Sequence, residues 1–294
     1  MLLASCASLV PYSAQGQVNV TNGSSDLLAS EDLSEALVKQ GLGTDRFTLT
    51  APGSGANSEV VNFADLENET GTFVIDQGAI LRLEDVPPAV PGGTLDEITF
   101  VFRGVTLHND GALLADRVSG TTGADSVVNG GILSSFDFTQ ADASIIDAVT
   151  EVPLIAADFQ DTTLDLGDGS DSLANSGLLV GDVLLGAGND TLTLSQDTGA
   201  AIASNLTEES VDGGTGSDAL ILTGSFVTAT EDADFENFGT LEKQGTGRWS
   251  LSGTSTFSGT VAVSGGGLIN DNGGELTAVG GFALSDGVLY TNLG

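Results

Sequence analysis

Basic side chains are nearly missing from this chain: seven Lys and Arg stand against 41 Asp and Glu, a formal charge of -34 over 294 residues. A surface of that sign repels phosphate backbones and the anionic leaflet of a membrane, which excludes nucleic acid as a partner. It also keeps a protein soluble at a crowded surface and makes divalent or cationic partners the natural ones. Cysteine occurs once, as Cys6, so no disulfide can form within the chain. Histidine also occurs once, as His108, and no Gly-x-Ser-x-Gly string accompanies it, so a serine-protease triad is not encoded and His108 reads as a turn residue. No run of about 20 apolar residues is present, so nothing crosses a membrane as a helix. Aromatics are only 5%, and acidic chains poor in aromatics often stay unfolded. Here, however, hydrophobic residues make up 40% and charged ones only 16%, which is enough apolar surface for a core.

What the chain does have is 41 glycines against 6 prolines, a composition suited to a long, repetitive β-structure with tight corners. Residues 1–16 are uncharged, apolar and then small, like the back half of a secretory signal peptide whose basic start is missing. Ala14 and Gly16 occupy the third and first places before a cut ahead of Gln17. Leu3-Ala4-Ser5-Cys6 also resembles a lipobox, in which Cys6 becomes a lipidated N-terminus. The first cut removes the only thiol and the second keeps it.

After a strand-like start at Val18-Asn19-Val20-Thr21, the stretch from Ser30 to Gly41 predicts one short helix. Ser30 serves as N-cap, Leu33 and Leu37 share a face, and Gly41 stops it. Such a helix is expected either to cap the open first rung of a solenoid or to belong to a small separate unit. Short runs follow, Phe47-Thr48-Leu49-Thr50, Thr72-Phe73-Val74-Ile75, Ile80-Leu81-Arg82-Leu83 and Ile98-Thr99-Phe100-Val101-Phe102, separated by Gly, Asn and Asp turns. These predict strands, interrupted by a loop at Pro87-Pro88-Ala89-Val90-Pro91-Gly92-Gly93.

Self-similarity dominates from residue 164 onward. Leu166-Gly167-Asp168-Gly169-Ser170-Asp171-Ser172-Leu173 recurs as Leu185-Gly186-Ala187-Gly188-Asn189-Asp190-Thr191-Leu192, then as Gly213-Gly214-Thr215-Gly216-Ser217-Asp218-Ala219-Leu220, with Gly123-Ala124-Asp125-Ser126-Val127 a degenerate earlier copy. A repeat near 20 residues is one turn of a β-helix, three short strands joined by turns. The expected architecture is an all-β, right-handed parallel β-helix with a short N-terminal capping helix. It divides into a leader (1–16), a β-rich region (17–163) and a repeat region (164–294) continuous with it. At 20 to 24 residues per turn it predicts on the order of a dozen rungs and a rod about 60 Å long.

Residues 239–270 include Leu241-Glu242-Lys243-Gln244-Gly245-Thr246-Gly247, then Ser250-Leu251-Ser252-Gly253, then Thr256-Phe257-Ser258-Gly259 and a Val263-Ser264-Gly265-Gly266-Gly267-Leu268 close. This pattern closely resembles the autotransporter-associated repeat. The resemblance covers about a tenth of the chain. It implies a passenger β-helix exported through a bacterial outer membrane, secreted or displayed at the cell surface and non-catalytic, with an adhesin-like role. It also implies an anchoring C-terminal β-barrel, whose alternating strands are not found here up to Asn292-Leu293-Gly294 and which a separate chain or a longer product would supply. The expected partners are an unidentified surface ligand or a second copy of the chain.

The Gly-x-Gly-x-Asp copies are also similar to the calcium-binding nonapeptides of RTX proteins, which makes Asp171 and Asp190, on successive turns, the calcium candidates. The bland alternative is that these glycines and aspartates only build corners, each Asp accepting from its own turn. A β-helical polysaccharide lyase or glycosidase is the enzymatic alternative, and it calls for carboxylates beside Arg or Lys in one groove. The basic residues are scattered: Lys39, Arg46, Arg82, Arg103, Arg117, Lys243 and Arg248. No catalytic residue is expected. Trp249, Phe257, Phe282 and Tyr290 read as an aromatic stack in the core, against a ligand-stacking row outside it.

Overall fold

The structure is a computed structural model, and it describes strand segments at 17–20, 26–29, 46–51, 59–62, 71–75, 80–85 and 98–101. Beyond these it describes 105–114, 117–134, 162–197, 206–207, 210–231 and 233–294. The leader, the expected helix from Ser30 to Gly41 and the loop at 87–93 lie outside the described residues. Among the described residues every regular element is a strand, and every strand pairing is parallel.

The chain visits three faces in a fixed order. Arg117–Thr121 lies on one face, Ser126–Asn129 on the next and Ile132–Ser134 on the third, and then Thr162–Gly169, Ser172–Asn175 and Leu178–Val180 stack on them one turn later. The same order continues through Asp182–Leu184, Thr191–Gln196 and Leu206–Thr207. From Ala229–Glu231 onward the third face is a separate sheet completed by Arg248–Leu251, Gly267–Asn270 and Leu289–Asn292. Parallel strands that wind repeatedly around one axis form a parallel β-helix.

One inward column shows why these residues take these places. Leu107, Val127, Leu173, Leu192, Leu220, Leu241 and Val261 pair in straight succession down the ten-stranded sheet and are all fully buried. In a strand alternate side chains point to opposite faces, so a period-two pattern repeated every turn places like on like. Val118, Leu164, Val183, Val211 and Phe235 do the same on the second face, and Leu113, Leu133 and Leu179 on the third. Burying each such side chain contributes roughly 1.5–3 kcal/mol.

Among the described residues the sheet that carries this column has ten strands, which at about 4.8 Å per step span about 43 Å. Successive turns differ in length along the chain. Ser126 pairs with Ser172 across one long excursion, and the longer repeat after Thr191–Gln196 places its extra residues before Leu206–Thr207. His108 is a correction to the turn that the sequence predicts. It sits within the strand Val105–Asn109, partly exposed, with its Nε2 3.2 Å from Asp110. The alternation that buries Leu107 and Asn109 turns it outward.

Truncating one member of the central column tests the packing. Leu192→Ala is expected to cost about 2–5 kcal/mol, read as a lower urea midpoint by circular dichroism. An unchanged midpoint would show that the column at Leu192 is not a packed core.

Candidate functional site

The Gly-x-Gly-x-Asp copies fold into one corner, stacked turn upon turn. Gly167, Gly186 and Gly214 form one column, and Gly169, Gly188 and Gly216 a second, with Asp168–Gly169 pairing Ala187–Gly188 and these pairing Thr215–Gly216. Glycine is required twice over. Gly186 has φ +100, and a Cβ there would lie 1.7 Å from the Gly167 carbonyl oxygen; on Gly188, at φ +152, it would lie 1.4 Å from that of Gly169. The corner is therefore tight because backbone stacks directly on backbone.

Each corner ends on an aspartate, and these aspartates form a third column. The main-chain N–H of Asp125 donates to Oδ1 of Asp171 at 2.7 Å, that of Asp171 to Oδ1 of Asp190 at 2.7 Å, and that of Asp190 to Oδ1 of Asp218 at 2.9 Å. The carboxylates of Asp171, Asp190 and Asp218 thus each accept from the rung below. Asp125, the first, also holds its own turn, its Oδ2 accepting from the Thr121 N–H at 2.6 Å and the Thr121 hydroxyl at 3.0 Å. All four residues are buried, with exposures of 1–3%. In each, one oxygen has no hydrogen-bond partner: Oδ1 of Asp125 and Oδ2 of Asp171, Asp190 and Asp218.

The electrostatics follow from this geometry. Burial pushes the Asp171 carboxyl up to about 6, opposed by the amide of Asp125 and reinforced by the charges of Asp190, Asp125 and Asp168. Burial also raises Asp125, Asp190 and Asp218, with Asp218 adding to the rise at Asp190 and Asp212 to that at Asp218. The two calcium candidates, Asp171 and Asp190, are brought together as consecutive members of this column, but they do not face one another across a gap. Their adjacent oxygen is committed to a backbone amide, and among the described residues no three His, Cys, Asp or Glu side chains converge as a metal site would need. Calcium takes six to eight oxygens, and the column supplies one uncommitted oxygen per turn. Asp125 and Asp218 belong to the arrangement equally, and the shared phase of the four copies is the signal that identifies them.

A second polar feature lies inside the rod. The inward position beside the Leu column is held in turn by Asn109, Asn129, Asn175, Leu194, Leu222, Lys243 and Val263. Asn109 donates to Asn129 Oδ1 and Asn129 to Asn175 Oδ1, both at 2.7 Å, while the same amides donate to the carbonyls of Ile132 and Leu178 across the turn. Lys243 is fully buried and aims its ammonium at main-chain carbonyls of Gln244, Gly245 and, one turn on, Gly265. Desolvation lowers its pKa to about 8. The Asn side chains and Lys243 thus share one task, supplying donors to main-chain carbonyls of the next face or turn.

Residues 241–269, which contain Lys243, match the family described as the passenger-associated-transport-repeat. The chain carries an autotransporter passenger repeat. No curated protein and no solved structure matches the chain. The repeat supports an autotransporter passenger, and with it secretion or surface display by a Gram-negative bacterium. Its geometry here explains its motif: the Lys clamps two successive corners, and the glycines at 245 and 265 are stacked so that a Cβ on Gly265 would lie 2.5 Å from the Gly245 carbonyl oxygen.

The remaining aromatic and basic residues divide in two. Trp249 and Phe257 are core, the Trp249 indole N–H donating to the Thr223 carbonyl at 2.9 Å, and Phe238 packs against Phe257 with ring centroids 6.3 Å apart. Phe282 and Tyr290 sit on the last described turn, 4.7 Å apart by ring centroid, with Phe282 exposed. Arg117 donates to Asp165 on the adjacent turn, pairing one basic with one acidic residue.

Lys243→Met keeps the stem and removes the ammonium, leaving the carbonyls of Gln244, Gly245 and Gly265 without that donor. A loss of about 1–3 kcal/mol in unfolding free energy is expected by urea titration. A midpoint equal to that of the unaltered chain would show that the ammonium does not hold the corners.

Proposed function

We propose that the chain is the displayed shaft of a non-catalytic passenger, an adhesin-like rod at a bacterial outer membrane. The observation that carries this reading is the passenger repeat at 241–269 lying in register within a β-helix whose interior is filled along its axis. Among the described residues, several polar groups that a catalytic reading could use are engaged within the scaffold. Asn109, Asn129, Lys243 and the corner aspartates bond to the backbone, His108 lies against Asp110, and Arg117 against Asp165. The function then lies in the outer faces and side loops, and the anionic surface selects ligands carrying cationic or neutral groups.

The test is to display the chain, joined to an outer-membrane barrel, on a laboratory Gram-negative strain and to measure settling and attachment to surfaces. Increased aggregation or attachment relative to the barrel alone is expected. A purified chain that instead released unsaturated or reducing ends from a panel of polysaccharides would replace this reading with the glycan-cleaving one.

A further inference from the structure

We propose that the column Asp125, Asp171, Asp190 and Asp218 is a proton-operated brace: taking up protons on its uncommitted oxygens removes buried like charge from the corner, so that this rod is strengthened, not loosened, by mild acid. The argument begins with the stacking. Four carboxylates occupy one position on consecutive turns, each in contact through a backbone amide with the next, and parallel strands fix the spacing at about 4.8 Å. Like charges so placed in a buried site cannot all ionise without cost.

The second observation is the state of the other oxygens. One oxygen of each carboxylate is satisfied by an amide, and the remaining one is buried without any donor. A buried ionised oxygen that accepts nothing is destabilising, whereas a protonated one is neutral and able to donate. The proton comes from solvent and stays on the carboxyl. The amide continues to bond to the other oxygen, Oδ2 in Asp125 and Oδ1 in the other three, so the corner geometry needs no rearrangement.

Among the described residues the surroundings supply no compensating positive charge. Within the column each aspartate faces the next. From neighbouring segments Asp168 acts on Asp171 and Asp212 on Asp218, and both are acidic. Thr121 donates to Asp125. Below the column the stacked position is Val105, as the pairing of Thr106 with Ser126 shows, and above it is Gly239, whose N–H donates to the Asp218 carbonyl. Both ends are uncharged.

The sign follows from linkage. The folded pKa values lie above the unfolded value of 3.8, with Asp171 at about 6, so between those limits the folded chain holds more protons than the unfolded one. This stabilising contribution is complete below the unfolded value and is lost as pH rises through the folded one. Most proteins whose carboxylates are paired show the opposite trend.

The experiment is thermal unfolding of the full chain by circular dichroism at pH 5 and pH 7.5, in about 1 M NaCl so that repulsion between surface charges is screened. The melting temperature is expected to be about 5 °C higher at pH 5. Asp171→Asn and Asp190→Asn, which keep the accepting oxygen and replace the free one by a neutral donor, are expected each to raise the pH 7.5 value and shrink the pH difference. Glu275→Gln, an exposed acid on the last described turn, is expected to leave the difference unchanged. A pH difference that is absent, or that Glu275→Gln reduces as much as the column variants do, overturns the proposal. So does a pH 7.5 melting temperature raised by millimolar calcium in the unaltered chain but not in Asp171→Asn, because a cation would then be the missing partner. If either Asn variant fails to fold, the other and the unaltered chain still decide the outcome.

Discussion

The whole structure depends on direct stacking at the spacing of a parallel sheet. Once each turn must lie on the one before it in register, any residue with a special requirement must recur at the same place on the next turn or be replaced by one of compatible shape. Leu173, Leu192 and Leu220 satisfy this for apolar packing, and Gly169, Gly188 and Gly216 for backbone that approaches backbone too closely for a Cβ. Turns of unequal length are tolerated, since strands far apart in sequence still stack in register, as Ser126 does on Ser172.

Stacking also governs the polar interior. A carbonyl at a tight corner cannot always reach an amide of the next turn and then takes a side-chain donor. Asn129 and Lys243 solve this from the same inward column by different means. One uses a short amide that also bonds to its own kind above and below, and the other a long stem ending in an ammonium. The aspartate column solves the converse problem, supplying acceptors to amides, but each carboxylate carries a second oxygen for which the corner has no donor. Stability of the corner and the charge of its aspartates are thereby coupled.

The two ends of the polarity scale serve separate purposes. Among the described residues the core is Leu, Val, Phe, Ala and one Trp, while the chain as a whole carries a net charge of -34. A rod of this kind needs no groove to persist, and a binding surface can be altered in its side loops and outer faces without disturbing the registered columns.

Much of the fold was legible in the sequence because stacking is a local rule repeated. The recurrence of Leu166 to Leu173 at 185 and 213, and the Lys243-x-Gly245-x-Gly247 string, specify corners and strands by chemistry that operates within a few residues. The partners of individual groups were not legible. That Asp190 accepts from Asp171 rather than from its own turn, that Lys243 is buried beneath Gly265, and that His108 points outward from a strand depend on contacts between residues a full turn apart or on the phase of alternation. By itself the sequence determined the repeat, its acidic surface and its solenoid class, since these follow from composition and period. Only the tertiary structure decided which turn lies on which across loops of unequal length, and hence which buried carboxylate oxygens are left without a donor, because that depends on register in three dimensions and not on spacing along the chain.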